Sequence, residues 1–256
     1  MTKNGALKQM GLKLWLALLL SLLIPNKSFG AIAYQTSNYG TQNTTTSVTV
    51  SITVSAGSNL YLVAGGSIES TNCGGVTFSA TWNGTAMTAL TPDQGGCGGS
   101  GILYLANPET GTHDLIVTSS ITANERGMIG GGIVLTGVSQ SAPEANAADP
   151  EDATDGCDVS VTSLTDNALV VGVMHNNVGA GSSDANGTNQ TDRWNAAVGS
   201  ETRGAGSTQT TTTAGSYTSS WSGNGFGQPA TCVVASLAAA AGGAAAPSIS
   251  DQAIFF

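Results

Sequence analysis

The sequence predicts an all-β protein, a two-sheet jelly-roll-like sandwich of roughly a dozen strands, and three observations carry that expectation. Apolar residues recur at every second position over many short runs, the period of a half-buried strand. Gly, Asn, Pro and Ser punctuate those runs at about eight to twelve residues, the spacing of sandwiches and barrels. No run of comparable length carries the 3.6-residue period of an amphipathic helix.

The chain of 256 residues opens with Lys3, Lys8 and Lys13 and no acid, followed by an apolar run from Leu14 to Ile24. That run is too short to span a bilayer as a helix, which takes roughly 20 residues. Pro25 ends it, and Ser28 and Gly30 place small residues before a cut at Ala31. Residues 1–30 therefore read as a cleavable signal peptide of bacterial type, and the mature protein as secreted or displayed at the cell surface. No transmembrane segment is expected after cleavage.

Alternation starts at Thr46–Ser55, where Val48, Val50, Ile52 and Val54 repeat. Leu60–Ala64 follows the turn cluster Gly57-Ser58-Asn59. Val76, Phe78, Ala80 and Trp82 alternate into Asn83-Gly84, the strongest hairpin signal in the chain, and the return arm runs from Thr85 to Leu90. Ile102–Ala106 stops at Asn107-Pro108, and His113–Ser119 follows Thr110-Gly111. Met128–Val138 is a longer apolar stretch containing Gly130, Gly131 and Gly132. Then come Val159–Val161 and Ala168–Met174, the latter continuous enough for a central strand. Arg193–Val198, Glu201–Gly204, Tyr217–Trp221 and Thr231–Ala238 complete the set. No fixed-period repeat stands out, which argues against a solenoid or propeller. The sandwich domain is placed at 31–238, with an Ala/Gly linker at 239–247 and an apolar tail at 248–256.

Cleavage changes the charge balance. All four lysines lie before residue 31, so Arg126, Arg193 and Arg203 face sixteen acids, a net charge of −13. Nucleic-acid binding needs clustered Lys and Arg to neutralise phosphates, and that partner is excluded. Hydrophobic residues make up 40% of the chain, enough for a core.

Cys73, Cys97, Cys157 and Cys232 survive cleavage, and an even count in an exported chain reads as two disulfides. Of three possible pairings, Cys73–Cys97 is favoured, because both lie in Gly-rich loops bracketing one strand pair. That leaves Cys157–Cys232.

Trp82-Asn83-Gly84-Thr85-Ala86-Met87-Thr88, Leu103 to His113, Gly137-Val138-Ser139-Gln140, and Gly215-Ser216-Tyr217-Thr218-Ser219-Ser220-Trp221 can be taken together. This set of strings resembles a loose group of secreted bacterial and phage-associated β-sandwich proteins, similar in architecture to concanavalin/LamG-like jelly rolls. The resemblance spans most of residues 35–240. Its motifs are structural, so it implies the fold and assigns no catalytic residue.

Catalytic chemistry finds little support. His113 and His175 sit at strand ends, no Gly-x-Ser-x-Gly elbow occurs, and the cysteines are committed to bridges. A pair of glycosidase-type carboxylates is the remaining enzymatic option, a hydrolase or lyase on a jelly-roll frame. Asp149, Glu151, Asp152, Asp155 and Asp158 form the densest acidic stretch and a candidate calcium loop, since hard cations take several oxygen ligands. Asp184 to Asp192 is a second acidic stretch. Trp194, flanked by Asp192 and Arg193 among polar neighbours, is a candidate glycan-stacking residue. The apolar tail residues Ile249, Ile254, Phe255 and Phe256 suit strand addition to a second copy. The leading expectation is a non-enzymatic structural or adhesive extracellular protein, self-assembling through its tail. The alternative is a carbohydrate-binding module, with or without calcium.

Overall fold

The computed structural model describes residues 30–90, 93–94, 96–152, 157–178, 184–223 and 230–242. Residues 1–29 of the expected signal peptide (1–30), Asp155 and the tail residues Ile249, Ile254, Phe255 and Phe256 lie outside them. Residues 29–240 form one compact unit. Among the described residues there is no helix, and the all-β, sandwich-like class expected from the sequence is what the protein has.

The strands fall into two consecutive sets. The first is β1 (Ala33–Gln42), β2 (Ser47–Val54), β3 (Tyr61–Glu69), β4 (Phe78–Trp82), β5 (Thr85–Ala86), β6 (Thr88–Ala89), β7 (Asp93–Gln94), β8 (Gly98–Ala106), β9 (Gly111–Ser119) and β10 (Met128–Thr136). The second is β11 (Ala145–Asp152), β12 (Cys157–Ser163), β13 (Leu169–Asn176), β14 (Asp184–Asn186), β15 (Thr191–Val198), β16 (Thr202–Thr210), β17 (Gly215–Gly223) and β18 (Ala230–Leu237).

Pairing in the first set is nested: β1 with β10, β2 with β9, β3 with β8, and the hairpin β4–β5 at the tip. A long antiparallel ribbon wound this way, with successive strands passing between two facing sheets, is a jelly roll. Its sheets have the orders β1-β10-β3-β8-β6, with β7 on β8, and β2-β9-β4-β5. The second set repeats the scheme, with orders β11-β18-β13-β16-β15 and β12-β17-β14. The two packed sheets of the sequence expectation are thus resolved into four.

Local sequence echoes the topological repeat in a few places. Asn83-Gly84-Thr85-Ala86-Met87-Thr88 follows β4, and Asn186-Gly187-Thr188-Asn189-Gln190-Thr191 straddles the end of β14. Asn59 (φ 53°) and Asn167 (φ 57°) occupy the left-handed region just before β3 and β13. Asn tolerates that region better than most residues because its short polar side chain bonds locally.

Three buried clusters lie in three successive seams. Val48, Val50, Ile52, Trp82, Leu115 and Val117 of the first outer sheet meet Leu62, Leu103 and Val134 of the first inner sheet. Tyr61, Val63, Ile133 and Leu135 of that inner sheet meet Val171, Val173, Trp194, Val233 and Ala235 of the second. Val159, Val161 and Trp221 of the last outer sheet meet Val170, Met174 and Val234. The burial pattern agrees with this stacking. Outer strands β2 and β12 alternate buried and exposed, whereas β3, β13 and β18 are buried at every residue. The continuous apolar run around Val170 is the central strand expected of it.

Glycines make the middle seam possible. A Cβ on Gly65 or Gly131 would lie 2.8 or 2.7 Å from the ring of Trp194, and one on Gly206 would overlap it. Both halves therefore open a socket for one indole. Gly132 similarly makes room for Ile52 and Leu115 on the opposite face.

The connector between the halves is bonded to both. Tyr61 Oη donates to Ser141 O, and Gln140 Nε2 donates to Leu60 O. Glu144 accepts from Ser236, Ser163, Thr165 and the Leu164 amide. Burial alone would raise the Glu144 carboxyl, but those hydrogen bonds outweigh it and hold the group below its ordinary range. The disulfides are Cys73–Cys97 and Cys157–Cys232, the pairing favoured from the sequence. Ala239, placed at the start of the expected linker, is buried and bridged to Val138, so the domain runs past residue 238.

Candidate functional site

Among the described residues, a constellation of chemistry-bearing side chains lies at one end of the middle seam. Glu69 ends β3, His175 and Asn176 end β13, Gly98 begins β8 and Thr231 lies at the start of β18. Antiparallel register brings them to one level: Glu69 opposite Gly98, and His175 between Gly204 and Thr231. His175 Nε2 is 3.3 Å from Glu69 Oε2, and Arg126 Nη1 donates to Glu69 Oε1 at 3.1 Å. The same Arg126 nitrogen pairs with Glu201, which is partly exposed. Thr231 Oγ1 bonds Ser100 Oγ across the seam at 3.1 Å, and Ser67 Oγ donates to Met174 O.

The electrostatics follow from burial. Glu69 and His175 are each 1% exposed, so the carboxylate requires a cation and the imidazole is penalised for carrying charge. Arg126 supplies the first. Desolvation pushes the His175 pKa down to about 3, which leaves it neutral at ordinary pH. Gly98 closes the site: a Cβ there would run into the Glu69 carboxylate and the His175 ring. The hydrogen bonds of Ser67 and Thr231 join the two inner sheets at this level. The arrangement places no reactive atom at a surface.

The residues singled out in the sequence lie elsewhere. Trp194 is 3% exposed and fills the glycine socket, so it cannot offer a face to a sugar; its polar neighbours reflect an edge strand, where only the inward residue must be apolar. Asp192 and Arg193 lie beside it at an irregularity of β15. Partial desolvation raises the Asp192 carboxyl, opposed by Asn186 and Arg203. Asp149, Glu151 and Asp152 belong to strand β11, where the sequence reading placed a loop. Asp158 is exposed on β12, opposite Ser220. Among the described residues no cluster of three or more His, Cys, Asp or Glu could hold a metal. His113 does not stand as a free strand-end group; its ring meets Trp82 edge-on at 5.4 Å.

Two features escaped the sequence. Glu69 and His175 are 106 positions apart, and only the pairing of β3 and β13 with their neighbours brings them together. Strand β1 presents Tyr34 and Tyr39, 43% and 45% exposed. Tyr34 Oη shares a hydrogen bond with Ser37, Ser37 Oγ donates to Arg193 O, and the Arg193 guanidinium stacks 3.8 Å above the Tyr34 ring. An unusual share of aromatics in a polar segment was the available signal.

No family model and no curated protein matches this chain. Among solved structures, the crystal structure of Cucumber Necrosis Virus is similar over 84% of this chain and 91% of that chain, at 9% identity and a TM-score of 0.25. A likeness at that score bears on neither fold nor function, and both rest on the geometry above.

Proposed function

We propose that the mature chain is an exported, non-enzymatic structural or adhesive protein, a rigid doubled sandwich that works at the cell surface or in an extracellular assembly. One observation carries this reading. The Glu69–His175–Arg126 constellation is spent on the seam between the halves, while the outward faces of the outer sheets carry hydroxyls. Thr53–Thr112 and Ser47–Thr118 on the first outer sheet, and Ser160–Thr218 on the last, are cross-strand hydroxyl pairs at 2.7–2.9 Å. Such ladders stabilise a flat sheet surface without charge. Two disulfides suit an oxidising compartment, and among the described residues no helix is long and apolar enough to cross a membrane.

Assembly through the tail is the specific form of the proposal. Ile249, Ile254, Phe255 and Phe256 would add to a sheet edge of a second copy. Deleting residues 247–256 and imaging the secreted protein tests it. Loss of polymers is the expected result, and polymerisation that continues unchanged removes the tail from the account.

A further inference from the structure

We infer that the strip formed by Tyr34, Ser37 and Tyr39 of β1 with Arg193 of β15 binds a neutral glycan chain. This names a partner for the adhesive reading and rests on it.

The register puts the three β1 residues on one face. Tyr34 pairs with Leu135, Ser37 with Ile133 and Tyr39 with Gly131, and all three partners face the middle seam. Directly opposed residues of an antiparallel pair project to the same side, so the tyrosines overhang the seam where β15 forms the edge of the other inner sheet. Four pairing steps separate the rings, about 13 Å along the strand. That is the reach of a short oligosaccharide.

The strip is built before any ligand arrives. Tyr34 is held by its hydroxyl on Ser37 and by Arg193 over one face. Arg193 is itself fixed, with Nε donating to Thr208 Oγ1 at 2.8 Å. Its planar fork presents donors suited to hydroxyl and ring oxygens, and Tyr39 offers an exposed aromatic face on which the C–H side of a pyranose packs. Rigid aromatic contacts cost little entropy on binding.

Charge selects the chemistry of the occupant. A mature chain at −13 with three arginines repels polyanions, and one guanidinium does not reverse that. A nucleic acid, a uronate polymer or an anionic lipid surface is disfavoured on this ground. An uncharged hexose polymer pays no such penalty, and its hydroxyls match the donors present.

The test is affinity electrophoresis of the full secreted protein through gels containing hydroxyethyl cellulose, glucomannan, soluble starch or polygalacturonate. Retardation by at least one neutral polymer is expected. Tyr39→Ala should abolish it, and Arg193→Ala should weaken it by about tenfold. Thr49→Ala on the outer sheet should leave it unchanged, with each variant checked for wild-type thermal unfolding. Migration unaffected by every neutral polymer, retardation by polygalacturonate alone, or full retardation of Tyr39→Ala overturns the inference. Polymerisation of the same preparation is scored separately, so loss of the glycan partner is distinguishable from loss of the structural role.

Discussion

The two halves of the molecule share a strand order but are sealed differently. Between its outer and inner sheets the first half packs Trp82, Phe78, Met87, Met128 and several Leu and Ile residues. Among the described residues, the corresponding seam of the second half relies on Val159, Val161, Val170, Val234, Ala205 and Ala230 around a single Trp221. Less apolar area is available there, so less hydrophobic stabilisation. The second half also places Cys157 on β12 and Cys232 on β18, which puts a covalent bond through that smaller core. The disulfide of the first half lies outside its core, joining the β3–β4 connection to the residue before β8. One winding scheme thus accepts two solutions: bulk in one copy, a cross-link in the other.

The largest effect is expected from Trp194→Ala, which empties a socket made by Gly65 and Gly131 of one half and Gly206 of the other. A loss of about 5 kcal/mol, the upper end for a fully buried Trp→Ala change, should appear in denaturant unfolding, together with separation of a single transition into two. Removing both cysteines of the 157–232 bridge comes next. It closes 75 residues of sequence separation against 24 for the other, so chain entropy assigns it about 4.5 kcal/mol against about 3.4. Hydrogen exchange should show β12, β17 and β18 losing protection first in the Cys157→Ala/Cys232→Ala variant. Equal loss in both halves would contradict a cross-link that compensates for the smaller core.

Arg126→Ala ranks below these. It leaves the Glu69 carboxylate buried without its guanidinium, and a cost of about 2–3 kcal/mol is expected, because Arg126 is partly solvated. Arg126→Lys should recover part of that. Tyr39→Ala, exposed on an edge strand, should change stability by less than about 0.5 kcal/mol, which separates a binding role from a structural one.

What the sequence revealed follows from burial on one face or two. Strands β2, β4, β9 and β12 bury one face, and their alternation was legible at Val48–Val54 or Val159–Val161. Strand β13 buries two, and its unbroken apolar run was legible as well. Edge strands β1 and β11 were not. Ala33–Gln42 is mostly polar apart from its tyrosines, and Ala145–Asp152 contains Pro150. Proline is tolerated at an edge near an irregularity, and the β11 register shifts between Asp149 and Asp152. The repeat was hidden for a related reason. Equivalent strands preserve facing and order, not residue identity, so beyond the Asn-Gly-Thr-x-x-Thr pair little periodic signal remained. The seam cluster depends on two long-range pairings, which no local pattern encodes.

Acid response connects the seam to stability. The His175 pKa is depressed in the fold, so the unfolded chain binds the extra proton, and stability falls as pH drops below about 6.5 towards about 3. Glu144 acts in the same direction over a lower range: its folded carboxyl lies below its ordinary value, so its contribution is present at neutral pH and lost as that group protonates. Thermal unfolding from pH 7 to pH 3 should therefore show declining stability, and Glu144→Gln should flatten the lower part of the curve.

His175 is buried and neutral beside Glu69 at the seam between the halves. Nitrogen-15 chemical shifts of the His175 ring, followed from pH 7 to pH 4 in the intact protein, test this most directly. A neutral imidazole is expected across that whole range while the fold persists. Titration of His175 in the folded protein near pH 6.5 would contradict it and would place an exchangeable, solvent-reachable base at the seam.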